Sequence, residues 1–289
     1  MPNDTVFNQF KGSADYVTSE PLRNAVNVSI ALKRPLLIRG EPGTGKTLLA
    51  YSIAKDLNKP LLTWNIKSTT KAQEGCYVYD TVQRLNDSRF SDKNITDIKQ
   101  YIKLGKLGQS FVADEHVVLL IDEIDKADLE FPNDLLNELD AMTFYITETE
   151  ETVTAVQRPI VIITSNAEKE LPDAFLRRCI FHYIEFPEAD LMEEIVKVHY
   201  PDLQENLLKE VMRVFYALRK LNDLKKKPST SELIDWIHAL ISGGIPVEKL
   251  REEIPYVGTL LKKEADFTFF SERKLNEKQA GRPGSYRMP

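Results

Sequence analysis

Within residues 40–47 the chain reads Gly40-Glu41-Pro42-Gly43-Thr44-Gly45-Lys46-Thr47. The spacing GxxxxGK[ST] suits a loop that wraps phosphate. Glycines lack a Cβ, so successive backbone N–H groups can turn inward around an anion. Lys46 supplies a cation for the outer phosphates, and the Thr47 hydroxyl is a ligand for Mg²⁺. Leu48 opens the helix that should follow, whose positive end faces the same anion. A second stretch, Leu119-Leu120-Ile121-Asp122-Glu123, ends an apolar run in two acids. Asp122 is expected to hold Mg²⁺, usually through water, and Glu123 to polarise an attacking water. A third stretch, Ile162-Ile163-Thr164-Ser165-Asn166, delivers a polar side chain after another apolar run. Asn166 either orients the water, touches the γ-phosphate, or is simply a turn-forming asparagine. The chemistry these residues point to is binding of ATP with Mg²⁺ and its hydrolysis.

For these groups to converge, the apolar runs must be strands that end on one edge. Residues 35–38, 117–121 and 159–163 are short, continuous and rich in β-branched side chains, as strands covered on both faces are. Residues 61–66 and 181–186 read as two more. Helical patterns fall between them at 48–57 and 133–142. Strands alternating with helices imply an α/β fold with a parallel sheet flanked by helices. Ligands of such sheets bind beyond the strands' carboxyl ends, where strands carrying the loop and the acids can lie side by side. Alternation around a polar turn predicts a β-hairpin over 143–156, tipped by Glu148, Glu150 and Glu151. Residues 75–80 suggest part of a second hairpin, with Tyr77 and Tyr79 on one face and core packing as their role. Residues 98–107 read as helical.

After Pro187 the strand pattern stops. Residues 191–200, 203–221 and 229–242 have apolar spacings of three and four, expected of amphipathic helices packed together. The domain reading is an α/β nucleotide-binding domain over 1–187, a small all-helical lid domain over 188–264, and a C-terminal tail over 265–289. That tail is either disordered or docked on a neighbour.

The chain has 289 residues, 42% hydrophobic and 28% charged, which fits a folded globular protein. A net charge of −6 makes nucleic acid an unlikely partner, although a local basic groove remains compatible with it. Cys76 and Cys179 show no CxxC spacing and are expected to be buried thiols in a reducing compartment. His116, His182, His199 and His238 lack metal-ligand spacing. The first residues lack a signal-peptide pattern, and no apolar run approaches the ~20 residues needed to span a bilayer. The expectation is a cytoplasmic protein with no membrane insertion.

Taken in order, the glycine-rich loop, Leu-Leu-Ile-Asp-Glu, Thr-Ser-Asn and Leu171-Pro172-Asp173-Ala174-Phe175-Leu176-Arg177-Arg178 resemble an AAA+ ATPase. Gly40-Glu41-Pro42-Gly43, Asp134-Leu135-Leu136-Asn137-Glu138-Leu139 and the hairpin that follows resemble the MoxR type, over roughly residues 10–264. The resemblance implies a homo-oligomeric ring, usually a hexamer, with ATP between neighbours. It also implies a partner with a von Willebrand factor A-type domain and a protein client to be remodelled, assembled or activated. It puts Asn166 at the sensor of the γ-phosphate. Arg178 falls at the arginine finger offered to the neighbour, with Arg177 as second choice; without the resemblance both read as surface cations. Members usually carry an arginine at the start of a small-domain helix. Here the matching stretch, Pro228-Ser229-Thr230-Ser231-Glu232-Leu233, has Ser231 in that place. Either another cation serves, or the lid couples less tightly to nucleotide. The other functions compatible with the sequence are a nucleic-acid-dependent motor or loader and a nucleotide-dependent switch with little turnover.

Overall fold

The computed structural model describes residues 9–13, 15–90 and 95–279, with side chains up to residue 271. These residues form two compact units, one within Met1–Gly40 and Lys46–Ile184, the other within Glu41–Gly45 and Glu185–Pro289.

In the first unit, helix α1 (Glu20–Leu32) leads into β1 (Leu36–Gly40), and α2 (Lys46–Asp56) into β2 (Leu61–Asn65). Next come α3 (Ala72–Cys76), β3 (Tyr77–Tyr79), α4 (Thr81–Phe90), β4 (Ile102–Leu104) and α5 (Lys106–Val112). Strand β5 (Val118–Asp122) is followed by the short helices α6 (Phe131–Asp134) and α7 (Leu136–Ala141). The hairpin β6 (Thr143–Ile146) and β7 (Glu151–Thr154) precedes β8 (Ile160–Ser165), α8 (Asp173–Leu176) and β9 (Ile180–Ile184).

Five strands make one sheet in the order β2-β5-β8-β1-β9. Every neighbouring pair is parallel. The period of two along each strand divides the core. Leu37, Leu119, Ile121, Val161 and Ile163 pack on one face, and Leu36, Ile38, Val118, Leu120 and Ile162 on the other. Burial on both faces is why these strands read as continuous apolar runs. The parallel register aligns their carboxyl ends: Asn65 pairs with Asp122, Ile121 with Ile163, and Arg39 with Ser165. One expectation needs correcting. Strands β1 and β5 are not neighbours, because β8 lies between them. Thr164 therefore comes to stand beside the acids of β5.

Two local readings also change. Residues 98–107 are not one helix: a 3₁₀ turn over Ile98–Tyr101 runs into β4, which pairs antiparallel with β3, and α5 begins at Lys106. Gly105 lets the chain pass Glu74, since a Cβ there would stand 2.0 Å from the Glu74 carbonyl oxygen. The helix expected over 133–142 is broken at Leu135 into α6 and α7. The hairpin β6–β7 forms with register Thr143 to Thr154. Its acidic end is partly neutralised, because Lys99 pairs with Glu151 at 2.5 Å. Tyr77 is buried and stacks on Phe144, 6.2 Å between ring centroids. Cys76 and Cys179 are free and buried, and burial pushes each thiol up to about 12.

The second unit is helical: α9 (Ala189–His199), α10 (Glu205–Arg219), α11 (Thr230–Ser242), α12 (Lys249–Glu252) and α13 (Glu264–Gln279). Trp236, Phe215, Met192, Ile237 and Leu233 lead its core. The segment read as a tail from 265 carries α13; residues 280–289 lie outside the described residues. Buried Asp266 accepts the backbone N–H groups of Lys225, at 2.7 Å, and Lys226, at 3.1 Å. No helix among the described residues is long and apolar enough to cross a membrane.

Candidate functional site

The glycine-rich segment leaves β1 at Gly40 and enters α2 at Lys46. Gly43 and Gly45 have φ of 77° and 82°, a region that side chains with a Cβ rarely adopt. Backbone of this kind is able to turn N–H groups toward a common anion. Thr44 is buried and its hydroxyl donates to the Glu41 carbonyl at 2.9 Å, closing the turn. Lys46 is 5% exposed, and its ammonium donates to the Gly40 carbonyl at 2.8 Å. Pro42 and Leu48 are exposed, Leu48 at 54%.

In the first unit, the Thr47 hydroxyl donates to both Asp122 oxygens, at 3.0 and 3.2 Å, across 75 residues of chain. The Thr164 hydroxyl donates to Asp122 Oδ1 at 2.6 Å and accepts the Glu123 N–H at 2.8 Å. Thr164 is 1% exposed, so one buried hydroxyl fixes the Asp122 carboxylate and the Glu123 backbone together. Glu123 lies in the left-handed region, φ 59° and ψ 52°. Such a conformation is costly for a residue with a Cβ and persists where surrounding contacts hold it.

Both Glu123 carboxylate oxygens are engaged. Asn166 Nδ2 donates to Oε1 at 2.8 Å, and the Lys126 ammonium pairs with Oε2. That contact raises the Lys126 pKa above the usual lysine value. Asp125, 3% exposed, accepts the backbone N–H groups of Glu168 at 2.8 Å and Asn166 at 3.3 Å. Lys169 donates to the carbonyls of Lys126, at 3.3 Å, and Ala127, at 2.7 Å. The segment after β8 is thereby clipped onto the turn after β5.

The expected residues Thr47, Asp122, Glu123 and Asn166 are thus brought together. Arg177 and Arg178 lie elsewhere in the first unit, after α8, and both are exposed. The Arg178 side chain pairs with Asp140 and donates to the Ala174 carbonyl at 2.9 Å. Arg34 holds the backbone carbonyls of both arginines. Thr164, Asp125 and Lys126 were not singled out from the sequence. Thr164 was legible within the Thr-Ser-Asn stretch; the other two sit in Asp122-Glu123-Ile124-Asp125-Lys126, where a run of charges gives no hint of which are buried.

These groups suit a magnesium nucleotide. The buried ammonium of Lys46, at the start of α2, is a cation suited to phosphate. Hydroxyl and carboxylate oxygens within 3.0 Å of each other match a hard cation that takes oxygen donors. Among the described residues, no three His, Cys, Asp or Glu side chains gather as a metal cluster. A family model described as "ATPase family associated with various cellular activities (AAA)" matches residues 36–188, more than half of the chain. No curated protein matches the chain.

Proposed function

This chain belongs to the AAA family of ATPases, and from that premise we propose that it hydrolyses ATP with Mg²⁺ and uses the cycle to remodel, assemble or activate other proteins. The observation that carries the catalytic part is the linked set Thr47–Asp122–Thr164–Glu123–Asn166.

In this reading residues 40–48 take the triphosphate, with Lys46 on the outer phosphates. Thr47 and Asp122 would hold Mg²⁺, which when bound neutralises phosphate charge. Glu123 accepts the proton of the water that attacks the γ-phosphorus. Each of its oxygens already has one partner, Asn166 on Oε1 and Lys126 on Oε2, and keeps a second lone pair for the water. Asn166, already on Glu123, is placed to orient that water. Arg178, or failing it Arg177, serves a neighbouring subunit's site.

The finer assignment to the MoxR type rests on Gly40-Glu41-Pro42-Gly43, the Asp134–Leu139 stretch and the hairpin β6–β7 ahead of β8. With it come a hexameric ring, a partner with a von Willebrand factor A-type domain, and a cytoplasmic setting. A net charge of −6 and the glutamates at the hairpin tip favour protein over nucleic acid as the client.

The test is Glu123→Gln with Mg²⁺ and ATP. It removes the base and keeps the shape, so nucleotide binding should persist while turnover falls by roughly 10² or more. Normal turnover in that variant would remove Glu123 from its role. No association of the wild type with millimolar MgATP would remove the whole reading.

A further inference from the structure

Arg219, in the last turn of α10, is 9% exposed. A guanidinium does not shed its charge, so burying one demands partners. Three are present within the second unit. The Phe186 ring lies under it, 3.2 Å from Cζ to the ring centroid. The Pro228 carbonyl accepts from one terminal nitrogen at 2.5 Å. The other terminal nitrogen donates to the Glu41 carboxylate at 2.9 Å, across 178 residues of chain. The countercharge for this buried cation therefore comes from the glycine-rich segment itself.

Residues 41–45 pack with this unit at a second point. A Cβ added to Gly43 would stand 2.6 Å from the Ser229 hydroxyl oxygen and 3.3 Å from that of Ser231. The frame around both contacts is tied down. The Glu232 carboxylate accepts the Ser229 N–H at 2.7 Å and pairs with Lys226 at 2.7 Å. Asp266 clamps the backbone of Lys225 and Lys226. Ser231 carries no charge, whereas Arg219 does and reaches Glu41.

We propose that Arg219 is a positioning residue for nucleotide: acting through Glu41, it holds residues 41–45 in the form that receives phosphate and masks a carboxylate that would repel it. This rests on the nucleotide site proposed above. Two physical effects combine. A glycine-containing segment loses much freedom when it binds, and holding it beforehand removes part of that cost. A carboxylate next to a phosphate-binding turn opposes the anion unless a cation pairs with it. The second effect gives the proposal a signature that loss of packing does not share: the harm of removing Arg219 depends on the charge at Glu41.

The experiment is titration of the full chain with MgADP, which needs no hydrolysis, for wild type, Arg219→Gln, Glu41→Gln and the double variant. Arg219→Gln should weaken binding about tenfold with Glu41 present, and at most about twofold in the Glu41→Gln background, as expected for coupled neighbours. Equal losses in the two backgrounds, or no loss in a folded Arg219→Gln protein, overturn the proposal. If that variant does not fold, Arg219→Lys in the same backgrounds takes its place. Its smaller loss, about threefold, should again appear only with Glu41 present. Lys46→Ala separates the two levels. Wild-type binding by Lys46→Ala defeats the nucleotide site itself, whereas loss there with equal effects at Arg219 defeats only the positioning role.

Discussion

Replacing Asp125 tests whether the segment after β8 is held for catalysis or only for folding. The carboxylate is 3% exposed and accepts two backbone N–H groups, from Glu168 at 2.8 Å and Asn166 at 3.3 Å. Asp125→Ala leaves both donors without this acceptor. Both bonds are part-buried, and water can reach the freed donors, so about 1–2 kcal/mol of stability should go. For a unit of this size that lowers Tm by roughly 2–8 °C. The catalytic effect is separate. The Asn166 side chain holds Glu123 Oε1 at 2.8 Å, and its backbone is one of the two groups that Asp125 fixes. A shift of about 1 Å in such a group can cost about 10² in rate, so kcat at 25 °C should fall by that order. The Asp125 carboxylate holds the backbone of Asn166 and Glu168 rather than the phosphate-binding segment, and MgATP affinity should stay within about twofold. Thermal melts, nucleotide titration and steady-state turnover on one preparation read all three quantities. A folded variant that melts lower but keeps its kcat would refute the reasoning, leaving Asp125 as a fastening of the fold alone.

Arg178→Ala should leave MgATP binding intact and lower turnover by roughly 10³ if the arginine acts on a neighbour's site. Mixing it with Lys46→Ala should then recover activity at mixed interfaces, and a phosphate-release assay that finds no recovery argues against action in trans; Arg177→Ala under the same assay ranks the two candidates. Burial lowers the His182 pKa below 6.5, so at acidic pH the unfolded chain binds the proton that the folded one resists. The sign is that stability is lost as pH falls from about 6.5 through the lowered folded value. His182→Gln should flatten the dependence of Tm on pH in that window, and parallel melting curves for variant and wild type would count against the assignment.

The main features of the sheet and the phosphate-binding stretch were legible because both are local. Five runs, each long enough for one strand, alternate with helical spacing, and burial on both faces makes β1, β5 and β8 nearly continuous in apolar residues. The stretch 40–47 holds its chemistry within eight consecutive residues. Reading failed where the deciding contact is distant. Residues 98–107 carry apolar side chains at helical spacing, yet Ile102–Leu104 pairs with Tyr77–Tyr79, a partner no window around residue 100 contains. The order of strands was likewise beyond local pattern, and it decides that Thr164 rather than a residue of β1 stands next to Asp122.

The sequence alone thus determined which kinds of group are present and on which short elements they ride: a phosphate-wrapping turn, two acids at a strand end, an asparagine after another strand. Only the tertiary structure decided what each group touches: Thr164 binding Asp122 from 42 residues away, Asp125 holding Glu168 from 43, and Arg219 holding Glu41 from 178. The physical reason is that backbone preference and apolar periodicity act over a few residues. The burial of a charge, by contrast, is settled by whichever partner the packed chain brings within hydrogen-bond reach.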